Sequence, residues 1–229
     1  FSAITLHGQI NPAGLVGLDI AKVGLYGSFK GEVEMDSNSL ISDGKTNGFF
    51  LIAENNGTIA DSIHFSSSDR VFLRDSVLAP SGKFYVLGNF SGVLEVAGFS
   101  TVSRGGNDLF LAEFDSSGSL LNLLSYGGSG DELAGGLALN EDLLFVSGSF
   151  WGTTTVGSFT LPSNGKQDAV LFCVLLDQLG SVQWAKSYGG TDIDSFLDLS
   201  VSSKGKIFAL GNYQNLSLIH ISEPTRPLY

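Results

Sequence analysis

The stretch YGGSGDELAGG (126–136) sets three glycines ahead of an acidic pair, a composition able to wrap backbone and carboxylate oxygens around a calcium ion. Calcium turns of the nonapeptide kind read Gly-Gly-x-Gly-x-Asp-x-apolar-x in tandem copies. Here Asp131 falls one position early, the sixth position is Glu132, and no tandem copy follows. Calcium needs about six to eight oxygens, so one loop with a displaced acid is inadequate, and no metal or other cofactor is expected. Two further loops align with it on their aromatic residue, FSSSDRVFLRDS (65–76) and YGGTDIDSFLDL (188–199). The alignment places Asp69 with Gly130 and Asp192, and Glu132 with Asp194. Acids recur there without one fixed position, as solvated or turn-capping carboxylates do. The candidate ligand contacts are therefore Asp69, Glu132, Asp192 and Asp194. Trp151 joins them, since an exposed indole can stack on a sugar ring, the alternative being that it packs beneath its own loop.

Other chemistry is thinly represented. A serine or cysteine nucleophile needs a neighbouring base, and outside the last residues only His7 and His64 are available. Paired carboxylates for glycoside hydrolysis stay open because acids are plentiful. The chain has no CxxC, HExxH, GxxxxGK or GxGxxG pattern, and GGSG (127–130) does not open a helix. No catalytic residue is assigned. The sequons at Asn56 and Asn89 permit N-glycosylation in a secreted eukaryotic protein.

The elements that must position these residues are legible from composition and repetition. Thirty glycines and 17 phenylalanines in 229 residues, with only 5 prolines, indicate many short strands and tight turns. A net charge of −11 argues against a nucleic-acid partner and against anionic membrane surfaces. No apolar run approaches the roughly 20 residues that span a bilayer as a helix, so no membrane insertion is expected. The single cysteine, Cys173, lies in the apolar run AVLFCVLL and is expected to be buried; alone, it forms no internal disulfide.

A Gly-small-aromatic step recurs at YGSFKG, LGNFSG, SGSFWG and LGNYQN, with leading glycines Gly27, Gly88, Gly148 and Gly211. A second anchor, the turn glycine of ENNGTI, DSSGSL and DQLGSV, repeats at Gly57, Gly118 and Gly180. Both give a period of about 61 residues. Each period divides into four strands, the first rich in small residues and the third a near-continuous apolar run expected to be covered on both faces. Helix-free repetition of four antiparallel strands is the pattern of a propeller blade, which buries its faces only against neighbours.

The third period, VSGSFWGTTTVGSFTL followed by KQDAVLFCVLLDQLGSVQWAKSYGG, resembles the β-propeller repeat of secreted and surface-attached bacterial proteins. The resemblance covers roughly residues 1–215 and is weakest in the first period, where HFSSSD replaces Tyr-Gly-Gly. It implies an all-β propeller fragment, with blades at about 15–65, 72–126 and 133–188, a partial blade at 195–213, and residues 1–6 as an outer strand. Residues 217–229, SLIHISEPTRPLY, resemble sequencing-adaptor read-through, so 216–229 is expected to be a non-native or disordered tail.

The segments 91–106 and 151–167 are expected as long loops on the face that also carries the blade-to-blade crossovers. That face is where a protein or carbohydrate ligand is expected. The implied function is a binding, adhesion or scaffold module, extracellular or at the cell surface, packed against other blades of its own chain. The alternative is part of a carbohydrate-active propeller enzyme.

Overall fold

The computed structural model describes residues 7–19, 21–35 and 38–214. The tail at 216–229, the strand expected at 1–6 and a third sequon at Asn215 lie outside them. The described chain is all-β, 74 % strand and without helix, so no helix is present that is long and apolar enough to cross a membrane.

Strands β1 (His7–Gly17), β2 (Lys22–Met35), β3 (Asn38–Glu54) and β4 (Ile59–Ser67) pair in chain order as an antiparallel meander. His7 therefore lies in the first strand of this meander, paired with Glu34. The second meander runs β5 (Arg70–Leu78), β6 (Phe84–Ser91), β9 (Asp108–Phe114) and β10 (Leu120–Gly128). A short hairpin, β7 (Val93–Val96) and β8 (Phe99–Val102), is inserted between its middle strands. The third is β11 (Glu132–Asn140), β12 (Leu143–Val156), β13 (Phe159–Leu175) and β14 (Val182–Tyr188). An antiparallel pair, β15 (Ser195–Val201) and β16 (Ile207–Asn212), begins a fourth. Short bridges join the three meanders into one mixed 14-stranded sheet, and among the described residues no sheet closes on itself.

The segments 91–106 and 151–167, expected as loops, are built largely of β-hairpin. Ala97 and Gly98 both have positive φ (49° and 85°), the backbone of a two-residue turn whose twist matches its strands. In the third repeat Val156 pairs with Phe159 across Gly157, which has φ 60°. Only a glycine or a strained residue turns this tightly, and neither turn carries the Asn-Gly or Asp-Gly signal that betrays a hairpin in sequence. The three turn glycines are not equivalent: Gly57 and Gly118 have φ near 87°, whereas Gly180 is not left-handed.

Alternation along the third strand of each repeat feeds two cores at once. On β9, Phe110, Ala112 and Phe114 pack toward the first repeat, while Leu109 and Leu111 face the third. On β13, Val170, Phe172 and Val174 face the second repeat, and Ala169, Leu171 and Cys173 face the fourth. This is why these strands are apolar throughout: the period of two is present, but both faces are covered. Each large side chain so buried contributes about 1.5–3 kcal/mol.

The anchor glycines share one steric role. A Cβ on Gly27, Gly88, Gly148 or Gly211 would collide with a first-strand carbonyl oxygen, that of Asn11, Phe72, Leu133 or Ser195 respectively. Close approach also explains the small residues of β11. A Cβ on Gly135 would lie 2.6 Å from the Phe196 carbonyl, and one on Gly136 would lie 2.8 Å from Asp198 Oδ1. The first strands are tied together by Arg74, which donates to the carbonyls of Gly135 (3.3 Å) and Leu197 (3.2 Å), and by Asp75, which accepts from the Leu137 amide at 2.6 Å.

Cys173 is fully buried, and burial pushes its thiol up to about 12, with Asp142 adding to the shift. Thiolate is the reactive form. A thiol-specific disulfide reagent at pH 8 is expected to leave the folded protein unlabelled and to react with one equivalent in denaturant.

Candidate functional site

At each seam between repeats the last strand ends in an aromatic residue and two small ones: Phe65-Ser66-Ser67, Tyr126-Gly127-Gly128 and Tyr188-Gly189-Gly190. At the first two seams the small residues pair with the next repeat's hairpin. Ser66 and Ser67 pair with Glu95 and Leu94, and Gly127 and Gly128 with Thr155 and Thr154. The glycines are dictated by contact, since a Cβ on Gly128 would collide with the Thr153 carbonyl.

A buried amide side chain precedes the third-strand core at every seam: Asn47, Asn107 and Gln167. Asn47 meets His64 Nε2 at 2.9 Å and accepts from the Ser67 amide. Asn107 donates to Asp131 Oδ1 (2.6 Å) and accepts from Arg70 Nε (3.1 Å), and its carbonyl takes the Glu132 amide (2.7 Å). Gln167 donates to Ser149 Oγ at 2.5 Å, and its carbonyl accepts the Asp194 amide at 2.9 Å. Asn107, through side chain and carbonyl, and Gln167, through its carbonyl, tie the chain entering the next repeat to the preceding one, whereas Asn47 bonds within its own repeat.

Next to them stand two pairs of buried acids. Asp108 and Glu132 act on one another electrostatically at the second seam and Asp168 and Asp194 at the third, and all four are at most 1 % exposed. Glu132 Oε2 accepts from the Gly128 amide (3.2 Å) and Asp194 Oδ2 from the Gly190 amide (2.7 Å), so each caps the turn from the same position in the repeat. Asp108 Oδ2 accepts from the Arg104 amide and Asp168 Oδ2 from the Asn164 amide, both at 3.1 Å. Burial pushes Glu132 up to about 7, against the pull of its Gly128 and Thr154 hydrogen bonds, and the charges of Asp108 and Asp131 add to the rise. Burial also raises Asp108 and Asp168; Arg104 opposes the first shift and Asp194 reinforces the second. At the first seam, by the repeat register, the corresponding positions are Asn47, which pairs with Phe29 as Asp108 pairs with Phe90, and Val71, with no carboxylate at either.

The sequence-predicted contacts therefore divide. Glu132 and Asp194 are not loop-surface acids but turn caps inside the seams, where no surface ligand reaches their carboxylates in this conformation. Asp69 is exposed and 3.5 Å from Arg70 Nη1, and Asp192 pairs with Lys166 Nζ at 3.0 Å. Trp151 is half-buried on β12, held by its amide to the Asp131 carbonyl. Asn56 is exposed in a turn, its Oδ1 accepting from the Thr58 amide, whereas Asn89 is half-buried mid-strand and paired on both sides. His64 is packed on Phe29 with centroids 5.5 Å apart, and burial lowers its pKa.

Residues passed over in sequence were Asp108 and Asp168, whose 60-residue spacing was available as a signal. The hairpins also carry exposed apolar side chains, Ile41 (64 %), Phe99 (47 %) and Val102 (60 %). Among the described residues no group of three or more His, Cys, Asp or Glu is placed to hold a metal ion. No protein-family model and no curated protein matches this chain.

Proposed function

We propose that this chain is a stretch of a β-propeller, its meanders serving as blades, and that it acts as a binding or adhesion module of a secreted or cell-surface protein. The observation that carries this reading is the repeated coupling of the first two outer strands, β4 and β10, to the hairpin of the following repeat. Hairpin extensions and crossovers thereby gather at one end of the stacked meanders, a rigid platform with variable tips. Exposed Asp69, Phe99 and Val102, the half-buried Trp151 and the Lys166–Asp192 pair furnish aromatic, apolar and acidic contacts for a protein or carbohydrate ligand. Net charge favours neutral or cationic partners.

The test is a glycan array and a panel of extracellular-matrix proteins probed with the purified chain. Binding is expected to one class, weakened about tenfold or more by Trp151→Ala or Asp69→Ala, as for an interface anchor. Turnover of a bound glycan would replace this reading with the carbohydrate-active one. Absence of binding to either panel would leave an architectural spacer.

A further inference from the structure

Four buried side-chain oxygens among the described residues lack a hydrogen-bond partner, and three belong to the seam acids: Asp108 Oδ1, Glu132 Oε1 and Asp168 Oδ1. An ionised carboxylate oxygen withdrawn from water without a donor is strongly disfavoured. The two pairs occupy the same place in successive repeats, and the glycine facing each is hemmed in by carboxyl oxygens. Asp168 Oδ1 and Asp194 Oδ2 lie 2.5 and 3.0 Å from where a Cβ on Gly189 would sit; both Asp108 oxygens lie 2.6 Å from that of Gly127.

The charged groups around the pairs do not supply the missing donors. Beside Asp108 and Glu132, the Arg104 guanidinium donates to the Gly127 carbonyl, Arg70 to Asn107, and Asp131 Oδ1 already takes two donors from Asn107. Beside Asp168 and Asp194, Lys166 is paired with Asp192, and Asp168 Oδ1 takes no donor from the Tyr188 or Tyr213 hydroxyl. A proton on one carboxyl of each pair turns an acceptor into a donor and removes one of two like charges.

We propose that Asp108–Glu132 and Asp168–Asp194 each share one proton in the folded protein, forming proton-operated latches between successive repeats. Both Asp194 oxygens already accept, from the Gly190 and Gln214 amides, so Asp168 is the member of its pair left with an oxygen lacking a donor. The raised pKa values of Asp108, Glu132 and Asp168 agree with this. The folded state then binds more protons than the unfolded one between the ordinary carboxyl range and about pH 7. Stability from the latches is full below that window and is lost as pH rises through it. The first seam, with Asn47 and Val71, has no such dependence.

The test is urea unfolding of the whole 229-residue chain at pH 5 and pH 8, for wild type, Glu132→Gln, Asp168→Asn and the double variant. Each amide mimics the protonated acid. The wild-type midpoint is expected to fall by roughly 1 M between pH 5 and pH 8. The double variant is expected to lose most of that fall by gaining stability at pH 8. General repulsion in a chain of net charge −11 is nearly unchanged by two substitutions and does not produce this difference. Infrared spectroscopy of folded wild type at pH 6 adds a readout independent of the variants, a protonated-carboxyl C=O band. The proposal is overturned if that band is absent, if the double variant keeps the wild-type pH dependence, or if millimolar calcium restores pH 8 stability to wild type alone. That last outcome would make the pairs a cation site.

Discussion

Gly88→Ala is expected to destabilise the protein by about 3 kcal/mol, the upper end of ordinary overpacking. The added methyl would collide with the Phe72 carbonyl and sit 2.6 Å from Phe110 Cζ. Neither neighbour gives way easily. The carbonyl belongs to β5, beside the register shift between Leu73 and Asp75, and Phe110 is fully buried between the first two repeats. The loss therefore comes from crowding in the native state, not from the conformational freedom of glycine, whose φ here is not left-handed. Gly180→Ala is the control, because nothing lies within 4 Å of its added carbon; it is expected to stay within about 0.5 kcal/mol of wild type. Urea midpoints for both, at constant pH, decide the matter. Equal stabilities would refute the steric account of the repeat's strongest anchor.

Phe172→Ala is expected to cost about 3–5 kcal/mol, the range for a fully buried aromatic ring in a core that relaxes only in part. Phe172 has no exposed surface and packs edge-on against Tyr126 of the preceding repeat, with centroids 5.1 Å apart and planes at 62°. Its loss opens a cavity in the core shared by the second and third repeats. Because that core is shared, unfolding is expected to be destabilised for both repeats together, seen by tyrosine and tryptophan fluorescence as coincident transitions. Phe208→Ala provides the contrast, with a ring 60 % exposed, and is expected to change stability by less than about 1 kcal/mol.

The acids show how far sequence reading reached at the seams. Aligning 126–136 with 188–199 put Glu132 and Asp194 in one column, and the structure finds them in one role, capping the second glycine's amide. What the alignment did not show was their burial. A loop of glycines and acids looks solvated in sequence because hydrophilicity is counted residue by residue. Burial here arises from the neighbouring repeat's hairpin and from Asn107 and Gln167, which are distant in the chain. The partners Asp108 and Asp168 were overlooked for the same reason: each stands at the head of an apolar run that draws all the attention.

What the chain determined by itself is local and periodic. Alternation, turn chemistry and a period of about 61 residues dictated β-strands in groups of four, since each depends on neighbours within a few residues or on simple recurrence. Tertiary structure alone decided which faces met. It converted 91–106 and 151–167 from loops into hairpins by giving their edges an outer strand to pair with, and it turned acids at a glycine loop into buried pairs. Those outcomes depend on contacts between residues tens of positions apart, whose energies come from shared burial and are absent from any single repeat.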